Sequence, residues 1–184
     1  CLGYQRRAKP LTRDDAYTHI SWIESANADI TDPATREDFL KMLDLTVLKL
    51  RREAEFAGVW LRPRSQLPVS FSDDALQRFR EEAGEEKAVT RERLRQEEEL
   101  YGRYLDWWQL KRREFLVAAR DHLRSNGVPD AVVLFTGCPG EPGVGLRSWQ
   151  PTLVTDRPEL WSPVLARPEH RTEKGETIRP VSVA

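Results

Sequence analysis

The sequence predicts an α/β fold in which long helices alternate with three to four parallel strands. Two observations lead to this prediction. An amphipathic helix over residues 90–125 precedes an apolar strand at 131–136, and the same order of helix, strand and polar loop occurs earlier, over residues 32–70. A helix that feeds a buried strand is half of a βαβ unit, so we expect neighbouring strands to run parallel.

The chain begins with residues 1–17, which show no hydrophobic period and are predicted to be irregular. A short strand follows at 19–23, where Ile20 and Trp22 alternate with polar neighbours. Glu24 comes directly after this strand.

The first long helix is predicted to begin at Asp32, a good N-cap, with Pro33 in the first helical position, where the missing N–H costs nothing. Its broad apolar face extends to Phe56. A compact strand at 59–61 follows, and Pro63 ends it.

Two further helices are predicted from their caps. Ser72 and Thr90 each precede a helical pattern, and Phe71 is placed to pack on Leu76 as a hydrophobic staple. The stretch 84–87 separates the two helices.

The second of these helices, over residues 90–125, has one clear apolar face. Its members recur at steps of three and four residues: Leu94, Tyr101, Tyr104, Leu105, Trp108, Phe115, Leu116, Ala119 and Leu123. Lys111 and Arg112 interrupt this stripe, and we expect their charged groups to extend to solvent. Gly127 and Pro129 supply the helix stop.

The strand at 131–136 is continuously apolar, which indicates burial on both faces. A weaker third strand is predicted at 151–156, and a short helix after it. Residues 168–184 are predicted to be irregular.

Composition narrows the classes of protein. A chain of 184 residues with 39% apolar content can bury one core, so one domain is expected. The formal charge of -1 gives no global attraction for nucleic acid, and no apolar run is long enough for a membrane span. Because the sequence starts at Cys1 rather than Met, we expect it to be part of a longer chain; the cellular compartment stays unassigned.

Carboxylates are the main candidates for catalytic groups in this sequence. The sequence has no Gly-rich phosphate loop, no clustered Cys/His metal spacing and no nucleophile elbow, so no metal or cofactor is predicted. Glycoside cleavage needs one protonated and one ionised carboxyl group. Glu141, between two Pro-Gly pairs after the buried strand, and Glu24 are the candidates, although a plain surface role for either carboxylate stays open.

A polar loop after the strand at 59–61 contains the candidate binding residues. Arg62, Arg64 and Ser65 offer donors suited to a polyhydroxylated or anionic ligand, or they form a solvated surface loop. Three tryptophans are candidate sugar-stacking platforms, although tryptophans at strand positions often belong to a core: Trp22, Trp60 and Trp149.

Several segments resemble those of bacterial TIM-barrel proteins described as family-10-like glycosyl hydrolases. These are residues 67–73 (LPVSFSD), 104–108 (YLDWW), 111–116 (KRREFL), 134–136 (LFT) and 141–143 (EPG), with a further likeness from 32 to 59. The resemblance covers about residues 29–165 and implies a partial (β/α)8 barrel that binds or hydrolyses carbohydrate at the C-terminal ends of its strands. A complete barrel has eight strands over roughly 250 residues, so this chain would be only part of one.

Two other functions stay open. One is a non-catalytic helical interaction module, which requires that Trp107 and Trp108 be exposed for a protein partner. The other is a carbohydrate-binding protein that has kept the barrel and lost hydrolysis.

Overall fold

A computed structural model describes residues 29–61, 69–135 and 152–161, together with the backbone of three short strands near the C-terminus. The helices are α1 (Pro33–Leu43), α2 (Asp73–Ala83), α3 (Arg91–Gln96) and α4 (Glu98–Ser125), with a π-helical segment at Asp44–Leu48 and a 3-10 turn at Pro158–Trp161. The strands are β1 (Gly58–Leu61), β2 (Val132–Phe135), β3 (Thr152–Val154), β4 (His170–Arg171), β5 (Thr177–Ile178) and β6 (Ser182–Val183). The last three lie in the region that the sequence predicts to be irregular.

The main sheet has the strand order β1-β2-β3-β6. β1 and β2 run parallel and are connected through α2, α3 and α4, so this part of the chain is the expected βαβ unit. The α/β class is therefore confirmed in its mixed form.

The third strand differs from the prediction, because β3 runs antiparallel to β2. An antiparallel neighbour needs no helical crossover, and the sequence between these two strands has Pro and Gly rather than a helical pattern. Over the residues that the structure describes, the sheet does not close into a barrel.

The start of α1 confirms the predicted cap. The Asp32 carboxylate accepts from the backbone N–H of Thr35, and Pro33 occupies the first turn. The helix does not reach Phe56 as predicted, because regular geometry gives way to the π-helical segment and helical structure ends at Leu50. Arg51 Nη1 then donates to the Leu48 carbonyl at 2.6 Å, which satisfies one of the carbonyl groups left open at a helix end.

The caps of the next helices are also confirmed. The hydroxyls of Ser72 and Thr90 each accept from the backbone N–H three residues later, and Gly84 adopts the left-handed conformation at the end of α2. One helix predicted over 90–125 is instead two, since Glu97 takes an extended conformation between α3 and α4. Glu97 accepts two hydrogen bonds from the guanidinium of Arg93, at 2.8 and 2.9 Å.

The core forms around the apolar face of α4. Of the predicted face, Tyr101 is only partly buried, and the other members are buried. They share one cluster with apolar residues of α1, α2 and β2, which include Phe39, Phe79 and Val133. The predicted apolar face is therefore the surface on which the helices and the sheet meet.

Gly58 fixes the start of the parallel pair. It pairs with Val132, has φ 153°, and an added Cβ would lie 1.8 Å from the Val132 carbonyl oxygen. The backbones are too close at this point for any side chain, so only glycine fits here.

Glu82 connects α2 to α4 through polar contacts. Its Oε2 lies 2.6 Å from Lys111 Nζ and accepts from Trp107 Nε1 at 3.0 Å. Partial burial raises the pKa of Glu82, but the hydrogen bonds from Lys111 and Trp107 and the positive charges of Lys111 and Arg78 outweigh that effect, so the net pKa is lowered.

Replacing Leu116 should test the role of the α4 face. Leu116 is fully buried, so Leu116→Ala should lower the free energy of unfolding by about 2–5 kcal/mol through lost burial and an unfilled cavity. Leu110→Ala is the matched control, because Leu110 lies on the same helix but is 50% exposed. This substitution should change the free energy of unfolding by less than about 0.5 kcal/mol. Urea denaturation measures both; equal losses would contradict the placement of α4.

The lowered pKa of Glu82 predicts a pH-dependent contribution to stability. The pKa of Glu82 in the folded protein lies below the ordinary value of 4.5, so between the two pKa values the unfolded chain binds more protons than the folded one. The stability that Glu82 contributes is therefore present above pH 4.5 and is lost as the pH falls through the folded-state pKa. The stability difference between the wild type and Glu82→Gln should therefore be present at pH 7 and decrease as the pH is lowered through the folded-state value. Denaturation midpoints from pH 7 to pH 3 measure it, and a difference independent of pH would contradict the assignment.

Candidate functional site

Three strands end or begin side by side at one edge of the main sheet. Leu61, the last residue of β1, pairs with Phe135, the last residue of β2, and Phe135 pairs with Thr152, the first residue of β3. We call this the strand-end edge. The segments 62–68 and 136–151 both leave the sheet from it, and in parallel α/β folds ligands bind at this end of the strands.

The six predicted site residues lie outside the described residues. They are Glu24, Arg62, Arg64, Ser65, Glu141 and Trp149. The structure therefore does not test their positions. What it gives is the place where the segments containing Arg62, Arg64, Ser65, Glu141 and Trp149 begin, and those segments start on neighbouring strands.

The segment 62–68 returns to the fold at a buried anchor. Val69 and Ser70 are buried, and the fully buried hydroxyl of Tyr104 donates to the Ser70 carbonyl. Burial raises the pKa of Tyr104 well above 10.0, and the nearby negative charge of Asp29 raises it further, so the hydroxyl stays protonated and able to donate. The end of this segment is therefore held against α4.

The segment 136–151 is closed at its base by strand pairing. Because β2 and β3 are antiparallel and Phe135 pairs with Thr152, the two ends of this segment lie on adjacent strands. Glu141 and Trp149 thus belong to one segment of the sequence, whose flanking residues Phe135 and Thr152 pair at the strand-end edge.

Arg112 is a buried cation at this edge. It is only 6% exposed, and its guanidinium carbon lies 4.9 Å from the centre of the Phe135 ring and 5.6 Å from that of Trp108. Both distances are within the range of cation–π attraction. The prediction that Arg112 extends to solvent is wrong, since the ring of Phe135 at the end of β2 provides a second aromatic face and covers it.

Lys111, in contrast, is partly exposed and forms ion pairs with Glu82 and Glu114. Partial burial lowers its pKa, but hydrogen bonds to the two carboxylates outweigh this and the net pKa is raised. The interruption of the apolar stripe was the sequence signal for both residues, but sequence could not show which of them the sheet would cover.

Trp60 is the one proposed stacking platform within the described residues, since Trp22 and Trp149 lie outside them. It is 61% exposed and pairs with Leu134 in the register of β1 and β2. Leu134 alternates with Val133 and Phe135, which face the helices, so Trp60 projects from the opposite face of the sheet. An exposed indole one residue before the strand end is suited to contact a sugar ring.

The tryptophans that an interaction module would need are not exposed. Trp107 is 8% exposed and Trp108 is fully buried, because α2, through Phe79, and β2 cover this side of α4. The expectation of an exposed Trp107/Trp108 surface is therefore wrong, and a partner would have to use other residues.

Metal-binding clusters and membrane-spanning helices are absent from the described ranges. They contain no group of three or more His, Cys, Asp or Glu residues arranged to hold a metal ion. Within the same ranges, α4 is the longest helix, and neither it nor any other is apolar enough to cross a bilayer.

Comparison of the chain with known protein families, with characterised proteins and with solved structures gives no match. The class that the fold defines is thus an α/β protein built on one βαβ unit with an antiparallel addition.

Removing the Arg112 guanidinium should destabilise the protein. Arg112→Ala removes the contacts with Trp108 and Phe135 and leaves unfilled space, so the free energy of unfolding should fall by about 1–3 kcal/mol. Arg113→Ala is the control, because Arg113 is the next residue but is exposed. Guanidinium denaturation followed by tryptophan fluorescence compares the two variants; a neutral Arg112→Ala would show that the buried cation contributes no stability.

Proposed function

We propose that this chain is a segment of a TIM-barrel-like glycoside hydrolase that binds carbohydrate at the strand-end edge. The observation that carries the proposal is the parallel register of β1 and β2, which end together at Leu61 and Phe135. It gives a common origin to two loops that contain five of the six predicted site residues. The resemblance of the sequence to family-10-like glycosyl hydrolases supports the same function.

The barrel assignment draws on the βαβ unit, which is the repeating element of a (β/α)8 barrel. In this proposal β1 and β2 are adjacent barrel strands, and the helices α2 to α4 lie outside them. The antiparallel β3 departs from the barrel pattern, so the proposal is limited to the parallel pair and the helices that cover it.

In the proposed reaction, Glu141 is the general acid or nucleophile and Glu24 is its partner carboxylate. The acid protonates the leaving oxygen as the glycosidic bond breaks. The ionised carboxylate either activates the water that attacks the anomeric carbon, or attacks that carbon itself to form a glycosyl intermediate that water then hydrolyses. Arg62, Arg64 and Ser65 orient sugar hydroxyls, and Trp60 and Trp149 stack against sugar rings.

Turnover and binding by the full chain test this proposal separately. On a panel of oligosaccharides, Glu141→Gln should lower kcat by at least about a hundredfold, because a positioned acid or base contributes about that much or more. Glu53→Gln, which changes an exposed carboxylate outside both segments, should retain full activity. Trp60→Ala should instead weaken sugar binding, measured by calorimetry, while Trp60→Phe retains most of it.

Each outcome separates the candidate functions. If the wild type binds sugar but does not turn it over, hydrolysis is excluded and the chain is a carbohydrate-binding protein. Equal turnover in Glu141→Gln would remove Glu141 from the chemistry. No binding to any sugar, together with stable self-association or capture of a defined protein partner, would favour the interaction module.

A further inference from the structure

A concave site lies among the helices, and its lining includes no strand residue. It has a volume of about 200 Å³ and is formed by the start of α1, the middle of α2 and the middle of α4. Its lining residues are Ile30, Thr31, Asp32, Pro33, Arg36, Arg78, Glu82, Lys111, Glu114 and Phe115. The proposed carbohydrate function uses none of these residues.

One part of the lining offers guanidinium groups. Arg36 is exposed in the second turn of α1 and forms no ion pair with any residue of the described ranges. Arg78 is partly held, because its Nη2 donates to Thr31 Oγ1 at 2.9 Å and lies 3.4 Å from the buried Asp29 carboxylate. These contacts fix Arg78 in place beside the cavity.

Arg78 also has a donor that these contacts leave unused. Its Nε is buried and has no hydrogen-bond partner among the described residues, and its contacts with Asp29 and Thr31 involve only Nη2. A buried donor without a partner is rare in native proteins and calls for an acceptor nearby. A guanidinium cation in a cavity is suited to pair with an anionic acceptor such as a carboxylate.

The lining also offers carboxylate oxygens. Glu82 and Glu114 each contact Lys111 Nζ through Oε2, at 2.6 and 3.0 Å. Trp107 also donates to Oε2 of Glu82, so the Oε1 atoms of both carboxylates remain available as acceptors. Because the two carboxylates compensate Lys111 with one negative charge in excess, this part of the cavity favours a cation.

Apolar side chains complete the lining. Ile30 and Phe115 are both nearly fully buried, at 5% and 3% exposed, and contribute to the cavity wall. The lining as a whole carries three cationic and three acidic side chains, so it has no net charge that would attract a simple anion or cation. Charges of both signs beside an apolar wall instead match a ligand that carries both charges and a hydrocarbon group.

We propose that this cavity binds a free α-amino acid with an apolar side chain. The ligand carboxylate pairs with Arg36 and Arg78, its ammonium group donates to Glu82 and Glu114, and its side chain packs against Ile30 and Phe115. The volume suits a molecule of this size and is below that of sites for drug-sized ligands, which begin at about 300 Å³.

Calorimetry with the full chain and L-leucine, L-valine and L-methionine tests the proposal. At least one of these amino acids should bind with 1:1 stoichiometry. For L-leucine as the probe, two analogues separate the charges: 4-methylpentanoate lacks the ammonium group, and 3-methylbutylamine lacks the carboxylate. Each should bind at least tenfold more weakly than L-leucine.

Variants locate the site. Arg36→Gln should weaken amino-acid binding at least tenfold, which equals about 1.4 kcal/mol, and the fold should persist because Arg36 is exposed and forms no ion pair with described residues. Glu114→Gln should also weaken binding, because it removes the negative charge that pairs with the ammonium group of the amino acid. Circular dichroism checks that both variants remain folded. Arg113→Gln, an exposed position outside the lining, is the matched control and should bind normally.

Three results would overturn the proposal: no heat with any of the three amino acids at 10 mM, equal binding of L-leucine and its single-charge analogues, or unchanged binding in Arg36→Gln. Sugar binding and turnover are measured on the same preparations. Loss of the amino-acid site in Arg36→Gln with unchanged sugar binding would show that the two sites are independent.

Discussion

The burial of one face of α4 is the interaction on which the rest of the structure depends. Tyr104, Trp108 and Leu116 on this face are fully buried, and they contact the elements that come before and after them in sequence. Trp108 alone removes a large aromatic surface from water, and aromatic side chains of this size dominate the energetics of a core. α2, β2 and the start of α1 are placed by the same face, so the strand-end edge and the cavity both depend on it.

Polar contacts then fix the positions that apolar packing leaves adjustable. The buried carboxylate of Asp29 accepts hydrogen bonds from Thr31, Ser72 and Arg78 and so joins the start of α1 to the start of α2. A buried carboxylate is costly unless it is paired and hydrogen-bonded, and here it is both. Near the C-terminal end of α4, His122 Nε2 lies 2.6 Å from Asp44 Oδ1, and this contact joins α4 to the π-helical segment that follows α1.

Much of the fold is predictable because it depends on interactions between residues that are close together in sequence. The caps at Asp32, Ser72 and Thr90, and the apolar period of α4, depend on residues close together in sequence, and sequence reasoning found them. The direction of β3 and the burial of Arg112 depend on contacts between distant parts of the chain, namely β3 with β2 and Phe135 with α4. The cavity was missed for the same reason, because its lining comes from three separate helices whose charged residues look like ordinary solvated surface in sequence. For the strand-end site, sequence reasoning indicated two loops, and pairing of β1 with β2 supplied their common edge.

Gly58 determines which substitutions the pairing of β1 with β2 can tolerate. The close approach of Gly58 to the Val132 carbonyl determines where β1 meets β2, and this contact is made by the main chain alone. The points from which the segments 62–68 and 136–151 emerge therefore do not depend on which side chains those segments carry. Substitutions within these two segments leave the spacing between their bases constant, whereas a single added methyl group at Gly58 would shift β1 against β2 and displace both bases at once.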